Sequence, residues 1–467
     1  MKTSAFFKGL FSLILLNLLV KPVWMFFIDR EVQNIVGHEE YGRYFAVLNL
    51  SYVLFFLSDA GLSNMINQRI ANGQKLNIPQ LLRMKMLMLL LYVAVCLLVG
   101  WLTGITQWSY LFYVLLIQVF TSLFIFFRNI ITGHQLFNTD AWLSIIDKTL
   151  MTVFCGAILY TSFFGSINLV LFLQVQALCT GIACLSAFLM MRKKGLVQEA
   201  ETIIPSRIIR MILPFAIIIL LMSVHYRIDG FLLERIHPDG AMQAGIYASA
   251  YRLLDASNMV GYLTSSFLIS FVARHINDRA FIDDAVINTR HALLFFVTGV
   301  VCFTLMFTPW IQQLLYHSND FYHSQVIRFC IASLPGYFLV HIYGSVLTAT
   351  GKFKTFITIL IICVCLNLSL NILFIPAYGA LGCCYSAIAS QYLCGLACMF
   401  ITTRSFNLRL HYPSLLVYLL LAVLLLGFFY FANNWGINTW MAGAIAALGT
   451  LLLLLTQVKK KYFITLR

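Results

Sequence analysis

Charged residues are scarce in this chain of 467 residues: Asp, Glu, Lys and Arg make up 10% of it, whereas hydrophobic types make up 61%. Soluble globular domains carry about 25% charged residues, so the composition excludes an ordinary soluble protein. Acidic residues are the scarcer kind, with 17 Asp and Glu against 31 Lys and Arg. In a soluble protein the net charge of +14 would suggest a nucleic-acid partner. Here we expect no such partner, because the basic residues follow a membrane topology.

Motifs for catalysis, metal binding and nucleotide binding are missing. The sequence contains no His-Glu-x-x-His. Gly351-Lys352 lacks the earlier glycine of a phosphate-binding loop, and Phe353 replaces its Ser or Thr. The twelve cysteines lie mostly in apolar runs without metal-site spacing, which indicates packing. We therefore expect a protein that is not an enzyme and holds no metal or cofactor.

Long uncharged runs dominate the sequence. A helix needs about 20 mostly apolar residues to cross a bilayer, and the uncharged run of residues 355–403 is long enough for two helices, with a turn predicted at Pro376-Ala377-Tyr378-Gly379. The pattern predicts an all-α integral membrane protein with about fourteen transmembrane helices. The predicted spans are 7–29, 43–68, 84–104, 108–130, 141–164, 167–191, 207–233, 241–273, 290–316, 325–350, 354–376, 379–403, 412–432 and 436–457.

The basic residues alternate along these spans. If the N-terminus is cytoplasmic, most Lys and Arg residues, Lys85 among them, fall on the cytoplasmic side, as the positive-inside rule requires. Both termini are then cytoplasmic. The longest polar connection, 193–206, follows the sixth helix and predicts two six-helix lobes and an extra helix pair. The predicted divisions are an N-terminal lobe at 1–192, a cytoplasmic linker at 193–206, a C-terminal lobe at 207–404, and a helix pair with a basic tail at 405–467.

A short internal repeat supports two related lobes. Gly42 and Tyr44 follow the first helix, and Gly245 and Tyr247 follow the seventh with the same separation. Transporters are often built from such repeats, with the substrate site between them.

Six charged residues are predicted at membrane depth, where a charge costs about 2.5–3.5 kcal/mol at the helix centre. They are Lys21, Asp59, Arg227, Asp229, Arg252 and Asp255. They lie on the first two helices of each lobe, so facing lobes would bring them to one central cavity. The cations Lys21, Arg227 and Arg252 suit an anionic head group, and Asp59, Asp229 and Asp255 would tune these cations or bind a coupling cation.

Local pairing is the alternative interpretation of these charges. Arg252 and Asp255 are three residues apart on one helix face and could neutralise each other. Arg128 and Lys148 could extend to the membrane interface. Lys21 has no carboxylate within one turn of its own helix, so its partner must come from another helix or from a water-filled cavity. Pro22, which follows it, predicts a bend.

Several of these segments also resemble a known family. Asn17 to Trp24 (NLLVKPVW), Ser58 to Asn64 (SDAGLSN), Arg227 to Asp229, Gly245 to Arg252 and Ile375 to Gly382 occur in the order and spacing typical of it. On these motifs the chain resembles bacterial polysaccharide (O-antigen, Wzx-type) flippases. That family is part of the multidrug/oligosaccharidyl-lipid/polysaccharide exporter superfamily.

The resemblance implies a two-lobe transporter that works by alternating access in the bacterial inner membrane. Its substrate would be an undecaprenyl-diphosphate-linked oligosaccharide, moved from the cytoplasmic to the periplasmic leaflet for lipopolysaccharide or another surface polysaccharide. Lys21, Arg227 and Arg252 would hold the diphosphate or acidic sugars. Membrane lipids and a coupling Na⁺ or H⁺ are the other expected partners.

Three other functions remain open at this point. Many members of the family have twelve helices, and the fourteen predicted here keep a lipid II-type flippase in consideration. A cation-coupled multidrug exporter would need an acidic or aromatic cavity. A membrane-embedded enzyme would need polar outer loops, but the predicted outer loops are short apart from Asp29–Arg43 and Glu234–Gly240.

Overall fold

The computed structural model describes residues 15–71, 73–161, 167–197, 204–275, 278–317, 320–406, 408 and 412–457. These residues form helices and short turns, with no β-strand among them. The prediction of an all-α membrane protein is confirmed. We number the helices α1 (15–36), α2 (His38–Asp59), α3 (Leu62–Ala71), α4 (Ile78–Leu102), α5 (Trp108–Gly133), α6 (Phe137–Tyr160), α7 (Leu169–Lys193), α8 (Pro205–Ile236), α9 (Gly240–Arg274), α10 (Arg279–Tyr316), α11 (Phe321–Ala349), α12 (Phe353–Tyr378), α13 (Ala380–Phe406), α14 (Tyr412–Asn434) and α15 (Thr439–Gln457).

Eleven of the described helices are long and apolar enough to cross a membrane, and a twelfth span results if α2 and α3, bent by 44° relative to each other, are one span. Residues 7–14 of the first predicted span lie outside the described residues. The last predicted span corresponds to α15, whose described apolar part is short for a crossing. The number fourteen therefore stays a prediction.

Two helices extend beyond their apolar runs. α1 continues to Val36, so the predicted outer connection at 29–43 is mostly helical, and only Gly37 separates α1 from α2. Gly37 has φ +84°, a conformation that favours glycine. α10 begins at Arg279, where the Asp278 carboxylate accepts a hydrogen bond from the Phe281 N–H. Charged residues are compatible with a helix that leaves the hydrocarbon region, so the apolar run marks the membrane and not the helix ends.

The chain forms two compact units, 1–245 and 246–467. Unit 1 includes α8, which packs along α2. Gly230 allows this approach, because a Cβ atom there would lie 2.6 Å from the Phe45 ring and 2.7 Å from the Asn49 amide. These units are not the predicted lobes, which divide at 193–206, a segment of which 198–203 lie outside the described residues. The division into lobes stays a prediction.

Each unit has its own packing. In unit 1, α3 to α8 share a buried apolar cluster that includes Ile66, Phe126 and Met191. In unit 2, α12 and α13 form an antiparallel hairpin, and Gly379 between them has φ +56°. The chain reverses at Gly379, the last residue of the turn predicted at 376–379, whereas Pro376 to Tyr378 still belong to α12.

Candidate functional site

Lys21 lies on α1 among charged residues of two other helices. It is within electrostatic range of Arg128 on α5 and of Asp147 and Lys148 on α6. Its half-buried ammonium forms no ion pair with any residue that the structure describes. Other helices of unit 1 thus supply charged neighbours to Lys21, and the partner that the sequence predicts for it stays a prediction.

The backbone around Lys21 is fixed by contacts on both sides. The Asn17 amide donates to the Ser144 hydroxyl at 2.8 Å, which holds α1 against α6. After Pro22 the helix widens into a π-helical segment, Trp24–Asp29. Trp24 stacks on Phe172 of α7 with ring centroids 5.8 Å apart, and the Lys148 ammonium lies 5.3 Å from the centroid of the Trp24 ring. Pro22 itself is α-helical, and the bend predicted there stays a prediction.

Arg128 forms a bidentate ion pair. Its Nε lies 2.6 Å from Asp140 Oδ1, and its Nη2 lies 3.0 Å from Asp140 Oδ2. Asp140 is only 3% exposed. Arg128 is therefore paired inside the protein, although the sequence suggested that it extends to the interface.

The charges around Lys21 do not cancel. Lys21, Arg128 and Lys148 contribute three positive charges, and Asp140 and Asp147 contribute two negative charges, which leaves +1. The Asp147–Lys148 contact is loose, at 3.6 Å. The formal charge of the group is therefore +1 when all five side chains are ionised.

Asp59 is paired with Lys85 of α4, at 2.5 Å. Lys85 is fully buried, and its ammonium has this carboxylate as its partner. Asp59 also accepts hydrogen bonds from the backbone and the hydroxyl of Ser63. It lies at the bend between α2 and α3, where Ala60 and Gly61 have φ +46° and +85°. Sequence reasoning had counted Lys85 among the basic residues of a cytoplasmic connection.

Arg227 and Asp229 lie on α8 of unit 1. The Arg227 guanidinium is 5.0 Å from the centroid of the Tyr52 ring on α2, a cation–π contact. Asp229 is 2% exposed and precedes Gly230, at the close approach of α8 and α2.

Arg252 and Asp255 lie on α9 of unit 2. Arg252 is buried, and its Nη1 donates to the Tyr316 hydroxyl at 2.9 Å. That hydroxyl donates to the Ser249 carbonyl at 2.9 Å, and the Ser249 hydroxyl contacts His323 Nε2. Asp255 is half-buried, one turn after Arg252. Sequence reasoning had not found Tyr316, which is 64 residues from Arg252.

Of the six predicted site residues, four lie in unit 1 and two in unit 2. Lys21 and Asp59 are placed in separate charged groups, with partners on different helices. The convergence of all six on one cavity stays a prediction. Among the described residues, no group of three or more His, Cys, Asp or Glu side chains has the arrangement of a metal site.

The two halves of the internal repeat meet in the structure. A Cβ atom on Gly42 would lie 1.9 Å from the Ala241 carbonyl oxygen and 2.6 Å from the Gly245 nitrogen. A Cβ atom on Gly245 would lie 1.9 Å from the His38 carbonyl oxygen. The Gln33 amide also donates to the Gly245 carbonyl at 2.7 Å. Glycine is required at both positions because the start of α9 crosses α2 in backbone contact.

Residues 6–269 match the protein family described as "Polysaccharide biosynthesis protein". The chain belongs to this family. The match confirms the resemblance to polysaccharide flippases that the sequence motifs indicated, and it includes α1, α2, α8 and most of α9. No curated protein matches this sequence.

Solved structures with the same fold are transporters. One, titled "Lipid II flippase MurJ, inward closed conformation", is 13% identical, with a TM-score of 0.71 over 97% of this chain and 99% of that one. The MATE transporter VcmN of Vibrio cholerae is 14% identical, with a TM-score of 0.59 over 87% of this chain and 97% of that one. An outward-facing multidrug resistance MATE transporter of the MOP superfamily is 12% identical, with a TM-score of 0.61 over 86% of this chain and 95% of that one. At these identities the likeness shows the fold of the superfamily.

Proposed function

We propose that this protein is a flippase for an undecaprenyl-diphosphate-linked oligosaccharide. It moves the substrate from the cytoplasmic to the periplasmic leaflet of a bacterial inner membrane by alternating access, for the synthesis of a cell-surface polysaccharide. Both termini are cytoplasmic in this proposal, as the distribution of Lys and Arg predicts.

The group of charges around Lys21 carries the proposal. An anionic head group must leave water to cross the membrane, and it does so more readily if fixed cations replace its hydration. Lys21 offers an ammonium without an ion pair among the described residues, within a group whose net charge is +1. A diphosphate, or the carboxylate of an acidic sugar, is the complement of such a group.

Arg227 and Arg252 are the further head-group residues in this proposal. Tyr52 lies beside Arg227 and Tyr316 beside Arg252, and an aromatic contact of this kind orients a guanidinium. Asp229 and Asp255 would tune these arginines or bind a coupling Na⁺ or H⁺. Asp59 has the same proposed role, through its pair with Lys85.

The test replaces Lys21→Ala and Arg252→Ala separately in the native host. Surface polysaccharide, the pool of lipid-linked precursor and the amount of protein in the membrane are measured. We expect surface polymer to fall and precursor to accumulate while the protein level is unchanged. Lys193→Ala and Arg274→Ala are matched controls, because both residues are exposed at helix ends.

Normal export by both variants would refute the assignment of these cations. If deletion of the whole gene leaves the polymer intact, the flippase proposal fails and a cation-coupled drug exporter becomes the better explanation.

A lipid II-type flippase is the second candidate, because the likeness to MurJ covers 97% of this chain and 99% of that one. The two candidates differ in the precursor that accumulates on depletion. Accumulated lipid II with unchanged surface polysaccharide would favour the second.

A further inference from the structure

Arg290 on α10 is a buried cation that the proposed transport site does not use. It is 1% exposed. Its Nη1 is 3.5 Å from the Tyr343 hydroxyl, whereas its Nε and Nη2 have no hydrogen-bond partner among the residues that the structure describes. Within the same residues, no carboxylate forms an ion pair with it.

The side chains in contact with Arg290 are polar and uncharged, and the nearby carboxylate of Asp283 is within electrostatic range of Tyr343. Tyr343 lies in a π-helical segment of α11, Val340–Gly344. The Tyr418 hydroxyl of α14 lies beside the guanidinium and is hydrogen-bonded to His291 Nδ1 at 2.9 Å. Tyr343, Tyr418 and His291 are all buried. Three helices therefore enclose one guanidinium with two phenol hydroxyls and an imidazole.

The two N–H groups without partners lie on one edge of the guanidinium, the edge that binds two oxygens of one anion. Arg128 shows this use in the same chain, because its Nε and Nη2 contact both oxygens of Asp140. A buried charge without compensation is strongly unfavourable, and unsatisfied buried donors indicate a bound ion or water. The edge of Arg290 thus has the geometry for an oxyanion.

The position of Arg290 along α10 indicates which oxyanion. Residues 292–316, which follow it, contain no Asp, Glu, Lys or Arg. At 1.5 Å per residue they extend about 37 Å, compared with about 30 Å for the hydrocarbon core of a bilayer. The helix is kinked at Phe307, so the distance across the run is shorter than this length along the chain. Because Arg290 directly precedes the uncharged run, we infer that it lies at the level of lipid head groups. Tyr418 is in the second turn of α14, and tyrosine is enriched at this level.

We propose that Arg290, together with the hydroxyls of Tyr343 and Tyr418, binds the phosphate group of an anionic membrane lipid where α10, α11 and α14 meet. The guanidinium edge donates two hydrogen bonds to phosphate oxygens, and the tyrosine hydroxyls donate to the remaining ones. Such a lipid would join α14 to the rest of unit 2. The proposal concerns binding and does not depend on the transported substrate.

The test compares the full-length protein with Arg290→Gln and with Arg279→Gln. Arg279 is the matched control, because it is an exposed arginine on the same helix. Bound lipid is measured by native mass spectrometry after titration with phosphatidylglycerol, with diacylglycerol of the same chains, or with inorganic phosphate. We expect the native protein and Arg279→Gln to bind phosphatidylglycerol, and Arg290→Gln to bind it about tenfold more weakly, as loss of a charged hydrogen-bond partner predicts.

The three added ligands distinguish a site for a lipid phosphate from a site for free phosphate. Binding of inorganic phosphate with the same dependence on Arg290 would show a site for free phosphate and refute the lipid. Equal binding of diacylglycerol and phosphatidylglycerol, or equal binding by the native protein and Arg290→Gln, would refute the site. If Arg290→Gln does not fold, the double variant Tyr343→Phe/Tyr418→Phe keeps both rings and removes the hydroxyls. Unchanged phosphatidylglycerol affinity in that variant would overturn the proposal.

Discussion

Arg128 of unit 1 and Arg290 of unit 2 lie on membrane-spanning helices, and both are largely removed from water, yet their guanidinium groups have different surroundings. Arg128 contacts both oxygens of a buried carboxylate, whereas Arg290 contacts a phenol hydroxyl at the limit of hydrogen-bond distance. Lys85 resembles Arg128 and differs from Arg290, because it is paired with the carboxylate of Asp59. A cation that is balanced within the protein mainly supports the fold, and one without a carboxylate partner can take its counter-charge from a ligand.

The largest expected effect comes from breaking the pair at Arg128. Asp140→Asn leaves the partly buried Arg128 guanidinium without its counter-charge, which costs at most about 3–5 kcal/mol of stability, the range for fully buried pairs. Equilibrium unfolding in detergent measures the change. Glu39→Gln is the control, because the Arg43–Glu39 pair is exposed and such pairs contribute little. If the two variants are equally stable, Arg128 is not balanced by Asp140.

A double substitution at Asp59 and Lys85 tests whether this paired cation depends on its carboxylate for stability. Each single change, Asp59→Asn or Lys85→Met, leaves one buried charge without its partner and is expected to cost about 3 kcal/mol. The double variant removes both charges, so most of that loss should be recovered. A double-mutant cycle of unfolding free energies gives the coupling energy. Simple addition of the two single effects would mean that the pair is not coupled.

A smaller effect is expected at Arg252. Tyr316→Phe keeps the ring and removes the hydroxyl that accepts from Arg252, a loss of about 1.5–3 kcal/mol for a hydrogen bond to a charged group. We expect reduced export of lipid-linked oligosaccharide with normal membrane levels. Tyr322→Phe is the matched control, because its hydroxyl contacts the Tyr378 carbonyl and not Arg252. Equal export by the two variants would mean that Tyr316 does not position Arg252.

The smallest change in stability is expected from substitution of a glycine by alanine within a helix. A Cβ atom on Gly299 of α10 would meet nothing within 4 Å, so Gly299→Ala should stabilise the helix by about 0.5–1 kcal/mol. Gly245→Ala, which forces a Cβ atom into the His38 carbonyl oxygen, should destabilise the protein. Melting temperatures of both variants in detergent test these two opposite expectations. A Gly245→Ala variant as stable as the native protein would contradict the backbone contact of α2 and α9.

The sequence predicted the all-α membrane fold because the physics of spanning is local: an uncharged run of sufficient length is a helix in lipid. Helix ends were less predictable where charged segments continue a helix outside the membrane, as at 30–36 and 279–291. The depth of Lys21 and Arg252 is predicted from their positions in apolar runs and stays a prediction. Their neighbours could not be predicted, because Asp147 and Tyr316 approach them through packing between helices, which no spacing along the chain encodes.

The single non-helical residue between α1 and α2 determines how motion passes along the chain. With only Gly37 between them, the two helices have almost no slack, so a change of tilt in α1 at its π-helical segment must displace the start of α2. Gln33, at the end of the same α1, is hydrogen-bonded to the Gly245 carbonyl at the start of α9. The π-helical segment of α1 therefore lies between Lys21 and the contacts at Gly37 and Gln33 that join α1 to the starts of α2 and α9.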